Sequence, residues 1–366
     1  MKIISRVNLK KQWKKEEKRI LPEIKKILRS GDYVGSNVIT KLEKKLARYN
    51  KSKYCVCTNS GTDALTLALF AIGIKKGDEV ITPANSFIAS TASIVHLGAR
   101  PIFVDVKNDQ LIDENKIVKF LSKKTKAIMP VHLCGRVANM EKIVEISKKY
   151  NLKIIEDCAQ AIGSKYNNKF SGTFGDIGCF STHPLKNLNA CGDGGFVITN
   201  NKDYYLKIKK LINHGLVDRN NSETFGYVSR MDSLQAMIVM KRLDNLNYVI
   251  KKRRENAELY FEYLKDAPVV LPYELRQEYN TYHLFVIQTK NRDELIKFLK
   301  LKKIETGIHY PVPIHKQAAY KNMFKEKLDL PNTEEQANQI LSLPINEFLT
   351  KNQILYICNS IKKFFE

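Results

Sequence analysis

Between residues 54 and 200 the chain is punctuated by short apolar runs, most of them unbroken rather than alternating. They fall at 54–58, 79–82, 101–106, 127–132, 153–157, 178–181 and 196–199, and most are rich in Val and Ile. Continuous runs of that length suit strands covered on both faces. Between them the apolar spacing becomes helical, over 62–73, 86–97, 114–121 and 139–150. In the last of these, Met140, Ile143, Val144 and Ile146 form the apolar side of the helix. Strand alternating with helix predicts an α/β domain on a mostly parallel seven-stranded sheet flanked by helices.

The same patterning places helices at 10–29, stopped by Gly31, and at 37–49, ahead of this core. Residues 203–213 and a long amphipathic stretch, 233–264, follow the core as helix. Then the texture changes. Residues 283–288 alternate like a strand, 292–302 are helical, 310–315 form a Pro-rich loop, and 334–341 and 350–364 close as helices. The expected division is a large α/β domain with N-terminal helices over 1–250 and a smaller C-terminal α+β domain over 251–366.

With 43% hydrophobic and 27% charged residues, the composition excludes intrinsic disorder and collagen-like repeats. Its departure is charge: 61 Lys+Arg against 38 Asp+Glu, a net +23. So basic a chain raises nucleic acid, a membrane surface or an acidic substrate as partners. Lysine outnumbers arginine 48 to 13 and is spread along the chain, often beside glutamate, as in Lys14-Lys15-Glu16-Glu17-Lys18. Mixed runs of that kind make solvated faces, so neither nucleic acid nor a membrane is expected as partner. No uncharged apolar stretch approaches the ~20 residues of a spanning helix. The seven cysteines (55, 57, 134, 158, 179, 191 and 358) sit mostly in apolar runs, and Cys55-Val56-Cys57 lacks zinc-ribbon spacing. The expectation is reduced thiols, no metal site and a cytoplasmic location.

In an open parallel sheet, ligands sit at the carboxyl ends of the strands, and three such ends carry suggestive residues. Asn59-Ser60-Gly61-Thr62-Asp63-Ala64 joins a strand to a helix, with hydroxyls and free N–H groups that suit phosphate, though they also suit an ordinary N-cap. Asp157 ends the run Ile154-Ile155-Glu156-Asp157, where a carboxylate is costly to desolvate unless a donor meets it. A protonated heterocycle nitrogen would serve, as would the turn that follows. Lys186 lies in Ser181-Thr182-His183-Pro184-Leu185-Lys186-Asn187-Leu188, ahead of Gly192-Asp193-Gly194-Gly195. A partly desolvated lysine is a nucleophile suited to Schiff-base chemistry; a surface lysine is the plain alternative. Together the three ends supply a phosphate cradle, a carboxylate for a pyridine nitrogen and a nucleophilic lysine, the parts that pyridoxal 5′-phosphate needs.

In this order the motifs resemble the DegT/DnrJ/EryC1/StrS family of nucleotide-sugar aminotransferases, in fold-type I of the pyridoxal-phosphate enzymes. The likeness runs nearly end to end, from Arg6-Val7-Asn8-Leu9 through Gly77-Asp78-Glu79-Val80-Ile81-Thr82-Pro83 and Met231-Asp232 to His309-Tyr310-Pro311-Val312-Pro313. The resemblance implies roles. Lys186 holds the cofactor covalently, Asp157 bonds its ring nitrogen, Gln160 approaches its ring hydroxyl and Phe87 stacks on its face. Gly61, Thr62 and Ser181 hold its phosphate. Arg219, Arg230, His309 and Tyr310 become candidates for the substrate, helped by the second subunit of a homodimer with shared active sites. Outside that set, a plain surface side chain remains open for His315, as it does for Arg219. Where many relatives carry an asparagine reaching the neighbouring subunit's phosphate site, this chain has Val228, followed by Ser229 and Arg230.

The implied reaction runs in two stages. L-Glutamate leaves as 2-oxoglutarate, the cofactor becomes pyridoxamine 5′-phosphate, and a nucleotide-linked keto-sugar is then aminated. Ser229-Arg230 and the His309–Pro313 segment resemble the branch acting at C3, which implies a 3-keto-6-deoxyhexose on dTDP and a product for surface polysaccharide or glycoconjugate synthesis. A C4-aminotransferase, a UDP-linked acceptor, a cyclitol aminotransferase and a same-fold sugar dehydratase are the rivals within the fold. A basic DNA-binding regulator is the rival from another class. It accounts for the charge and leaves Asp157 and Lys186 unexplained.

Overall fold

In the computed structural model, which describes residues 3–366, the apolar runs become strands of one seven-stranded sheet. The chain lays down α1 (Leu9–Ser30), α2 (Asn37–Tyr49), β1 (Tyr54–Thr58), α3 (Gly61–Ala71), β2 (Glu79–Pro83), α4 (Ile88–Val95), β3 (Arg100–Val104) and β4 (Thr125–Ile128). Next come α5 (Met140–Tyr150), β5 (Lys153–Asp157), the short strands β6 (Lys165–Tyr166) and β7 (Lys169–Phe170), β8 (Ile177–Ser181), β9 (Gly195–Thr199), α6 (Lys202–Leu211) and α7 (Ser233–Leu243). The sheet order is β1-β9-β8-β5-β4-β2-β3; β9 runs antiparallel to both neighbours and the remaining pairings are parallel.

Burial explains why these runs are continuous. All five residues of β9 are buried. Its Val197 and Val56 of β1 pack with α3 and α6 on one face of the sheet. Cys55, Cys57, Phe196 and Ile198 point to the other face, against Leu42 and Leu46 of α2 and Val239 and Leu243 of α7. A strand sandwiched this way has no face to give to water.

The C-terminal part comprises α8 (Leu246–Leu264), β10 (Glu278–Tyr279), β11 (Phe285–Gln288), α9 (Arg292–Leu301), α10 (Ala318–Phe324), α11 (Pro331–Gln339), β12 (Ile340–Leu343) and α12 (Lys351–Phe365). Its core gathers Tyr260, Phe285, Leu295, Leu341 and Ile357. Ile4 belongs to the same core and bridges to Ile304, so the start of the chain is tied into the smaller part.

Three expectations need correction. The helix expected at 114–121 is a single 3₁₀ turn, Ile117–Phe120. The stretch 233–264 is two helices, interrupted at Asp244-Asn245. The helix expected at 334–341 ends at Gln339, and the chain turns directly into β12, which pairs antiparallel with β11. A small sheet of β10, β6 and β7 was not foreseen.

Candidate active site

The carboxyl ends of β1, β5 and β8 open onto a cavity of about 500 Å³ between the two parts of the chain. At β1 the chain turns sharply into α3. The Ser60 hydroxyl accepts from the Asp63 N–H at 3.0 Å and caps the helix, while the Thr58 hydroxyl donates to the Ser60 carbonyl at 2.8 Å. Gly61 packs against the end of β8: a Cβ there would stand 2.7 Å from Ser181 Cβ. Ser60, Gly61, Thr62 and Ser181 therefore share one wall of the cavity, at the amino end of an eleven-residue helix.

Asp157 closes β5 and is 4% exposed. Its Oδ2 accepts from the Ser90 hydroxyl at 2.7 Å and its Oδ1 from the Ala159 N–H at 3.1 Å. The Ser86 and Ser90 hydroxyls are 2.7 Å apart, extending the chain of donors along α4. Lys186 lines the same cavity, in the turn after β8. Burial lowers its pKa to about 8, against the pull of Asp157 and Cys134 in the opposite direction. A lysine so placed holds a substantial neutral fraction near physiological pH.

The far wall is shared between the two parts of the chain. Tyr310 accepts from Gln160 Nε2 at 3.1 Å, and Gln160 Oε1 accepts from the Cys134 N–H at 2.7 Å. Phe87 stands 5.8 Å from the Tyr310 ring, centroid to centroid, and remains 55% exposed, a cost that a planar ligand lying on it would remove. His183, His283 and His309 complete the wall, and burial lowers all three, His309 to about 4.

Gly61, Thr62, Phe87, Asp157, Gln160, Ser181, Lys186, His309 and Tyr310 thus meet around one cavity. Arg219 and Arg230 do not join them. Arg219 is exposed, and Arg230 donates to Asn213 Oδ1 at 2.6 Å, away from the cavity of its own chain. His315 is not on the surface but buried, bonded to Glu334 at 2.9 Å. Ser90, Arg6 and His283 are wall or support residues that sequence reasoning passed over. Ser90 could have been suspected from its four-residue spacing to Ser86 next to Phe87; Arg6 enters only as the start of the motif Arg6-Val7-Asn8-Leu9, with no role attached, and His283 carries no local signal.

One cluster resembles a metal site: His132, Glu156 and Cys158 lie together and buried. Its lone pairs are already engaged. Glu156 accepts from His132 at 2.9 Å and from the N–H groups of Gly172, Phe174 and Gly175 at 2.7 Å. His132 Nδ1 accepts from the Ala138 N–H. It is a hydrogen-bonded node under the sheet.

A buried carboxylate with fixed donors, an amine of lowered pKa, an exposed aromatic face and a helix start are the donor set that pyridoxal phosphate requires, and the cavity has room for it. The chain belongs to the DegT/DnrJ/EryC1/StrS aminotransferase family, whose model matches residues 14–362. It is a pyridoxal-phosphate-dependent aminotransferase, and its solved neighbours include forms with pyridoxal and pyridoxamine phosphate. It is 38% identical to a dTDP-3-amino-3,6-dideoxy-alpha-D-galactopyranose transaminase of Aneurinibacillus thermoaerophilus, over 95% of this chain and 96% of that one. It is 37% identical to a protein of Geobacillus stearothermophilus named pleiotropic regulatory protein, over 98% of both chains. The crystal structure of Streptomyces venezuelae DesV with a ketimine intermediate superposes with a TM-score of 0.98, at 34% identity, over 100% of this chain and 99% of that one.

Proposed function

We propose that the chain moves an amino group from L-glutamate to the keto carbon of a sugar linked to a nucleoside diphosphate. The observation that carries this reading is the meeting of Lys186 and Asp157 in one cavity, with Phe87 open above it. Pyridoxal phosphate, when bound, supplies an electron sink for the carbon that loses its proton. The chain supplies binding, orientation and proton transfer. Gly61, Thr62 and Ser181 hold the phosphate at the amino end of α3, where the helix dipole favours an anion. Asp157, fixed by Ser90 and Ala159, would bond the ring nitrogen, Phe87 would cover the ring, and Gln160, held by Cys134 and Tyr310, would border the ring hydroxyl. The freed Lys186 amine takes a proton from the donor's α-carbon. In the second half of the reaction it delivers one to the sugar carbon that receives the nitrogen. Its pKa of about 8 suits a group that must both accept and donate near neutral pH.

Within this class the acceptor is a 3-keto-6-deoxyhexose on dTDP. The transaminase of Aneurinibacillus is named for a 3-amino sugar on dTDP, and it matches nearly the whole chain. The product is an amino sugar nucleotide for surface polysaccharide or glycoconjugate synthesis. Lys186→Ala abolishes the visible absorbance of the lysine-bound cofactor and lowers turnover by several orders of magnitude; normal turnover in that variant overturns the reading. Screening 3-keto and 4-keto sugars on dTDP and UDP, with free cyclitols alongside, identifies the acceptor.

A further inference from the structure

An amino acid that gives up its amino group brings a carboxylate next to the carbon that reacts, so the cavity must receive an anion close to Lys186. Burial disfavours the charged form of His283 and His309, which makes them poor partners for an anion. Lys186 is committed to the chemistry. Among the described residues, Arg6 is the one guanidinium on the cavity wall.

Its placement is built rather than incidental. Arg6 Nη1 donates to His309 Nε2 at 3.3 Å, which leaves the ring's proton on Nδ1, donated to the Ser342 hydroxyl at 2.9 Å. Gly307 packs against the guanidinium: a Cβ there would stand 2.6 Å from Nη1 and 2.8 Å from Cζ. Arg6 Nε is buried without a hydrogen-bond partner. Glu305 is the carboxylate paired with it, 3.5 Å from Nε, and it also accepts from the Arg6 backbone N–H at 3.2 Å. The charges of Arg6 and Lys186 both bear on the His283 and His309 rings, so the two cations flank the same part of the cavity.

We propose that Arg6 binds a carboxylate of the amino donor, with His309, Ser342 and Gly307 holding its guanidinium in place. This rests on the reading above that the donor is L-glutamate. A guanidinium suits the task because it stays charged at any working pH and meets a carboxylate with two parallel N–H groups.

The test separates the two half-reactions of the holoenzyme. Loss of the visible absorbance of bound pyridoxal phosphate on adding L-glutamate reports the first; its return when the pyridoxamine form meets the keto-sugar reports the second. In Arg6→Gln the half-saturating glutamate concentration rises about tenfold to a hundredfold, the worth of a charge-assisted hydrogen-bond pair. The limiting rate and the sugar half-reaction change little. Arg6→Lys restores part of the affinity, and Gly307→Ala, which displaces the guanidinium, mimics the loss. Unchanged glutamate saturation overturns the proposal. So does an equal loss in both half-reactions, which marks a structural role, or a loss confined to the sugar half-reaction, which assigns Arg6 to the acceptor. If glutamate fails to discharge the wild-type enzyme, the donor assignment falls instead. Calorimetric binding of glutarate to wild type and Arg6→Gln then still decides the residue: equal binding overturns it.

Discussion

At the scale of single residues, the proposed active site rests on two ionisable groups held in different environments. Asp157 is buried and accepts from two fixed donors, while burial of Lys186 favours the neutral amine. The lysine's folded pKa of about 8 sets a direction. Below it the protonated amine is no nucleophile, so the rate at which apoenzyme captures pyridoxal phosphate should rise about tenfold per pH unit up to about 8 and then level off. Stopped-flow absorbance across pH 6 to 10 checks it; a break near the ordinary lysine value shows that the site does not depress this amine. Asp157 was legible in the sequence because it ends an apolar strand, where a charge needs a reason, and Lys186 because it follows another such strand and completes the set. Arg6 was not, because it lies before the first helix and reaches the cavity through an association of remote segments, with Gly307 and His309 some three hundred residues away.

At the scale of elements, the loop carrying Lys186 is pinned by two helices far from it in sequence. Arg242 of α7 donates to the Asn189 and Ala190 carbonyls at 3.0 and 3.1 Å and to Glu16 of α1 at 2.9 Å. Gln12 and Asn189 exchange side-chain hydrogen bonds at 2.9 and 3.1 Å. The pair of Glu16 and Arg242 is almost fully buried, so removing one partner strands the other's charge. Glu16→Ala should cost about 3 kcal/mol in urea unfolding, a typical figure for a broken buried pair, and slow turnover by loosening the loop. Replacing both by apolar residues should recover much of the stability; a double variant as unstable as the single one counts against this account. None of this network was readable from the helical pattern, which marks residues 10–29 only as amphipathic. The strands covered on both faces were readable, since continuous Val and Ile leave few other choices. β12 was not: Ile340-Leu341-Ser342-Leu343 follows α11 without a turn residue, so its apolar positions extend the helical pattern, and only pairing with β11 settles it. The break at Asp244-Asn245 is hidden for the same reason, lying inside an amphipathic stretch without Gly or Pro.

At the scale of the whole molecule, the largely polar segment 213–230 exposes apolar side chains for which a solitary chain has no use. Backbone bridges join Asn213 to Val228 and Leu216 to Ser222, forming an outward excursion. Phe225 on it is 99% exposed, with Val217, Tyr227 and Val228 partly so. Arg219 and Arg230 stand on the same excursion, outside their own cavity. The proposed homodimer with shared active sites would cover the excursion with a second copy of the chain and receive these arginines beside that copy's cavity. Mixing two variants tests the arrangement. Lys186→Ala lacks the amine, and Arg219→Ala combined with Arg230→Ala lacks the cations; each alone is expected to be inactive or nearly so. After unfolding and joint refolding, half of the dimers formed at random are mixed. If the arginines act across the interface, one site in each mixed dimer carries both defects and the other carries none. Activity then returns to about a quarter of wild type. If the arginines serve their own chain, every site retains a defect and no activity returns. A wild-type enzyme that sediments as an active monomer removes the premise altogether.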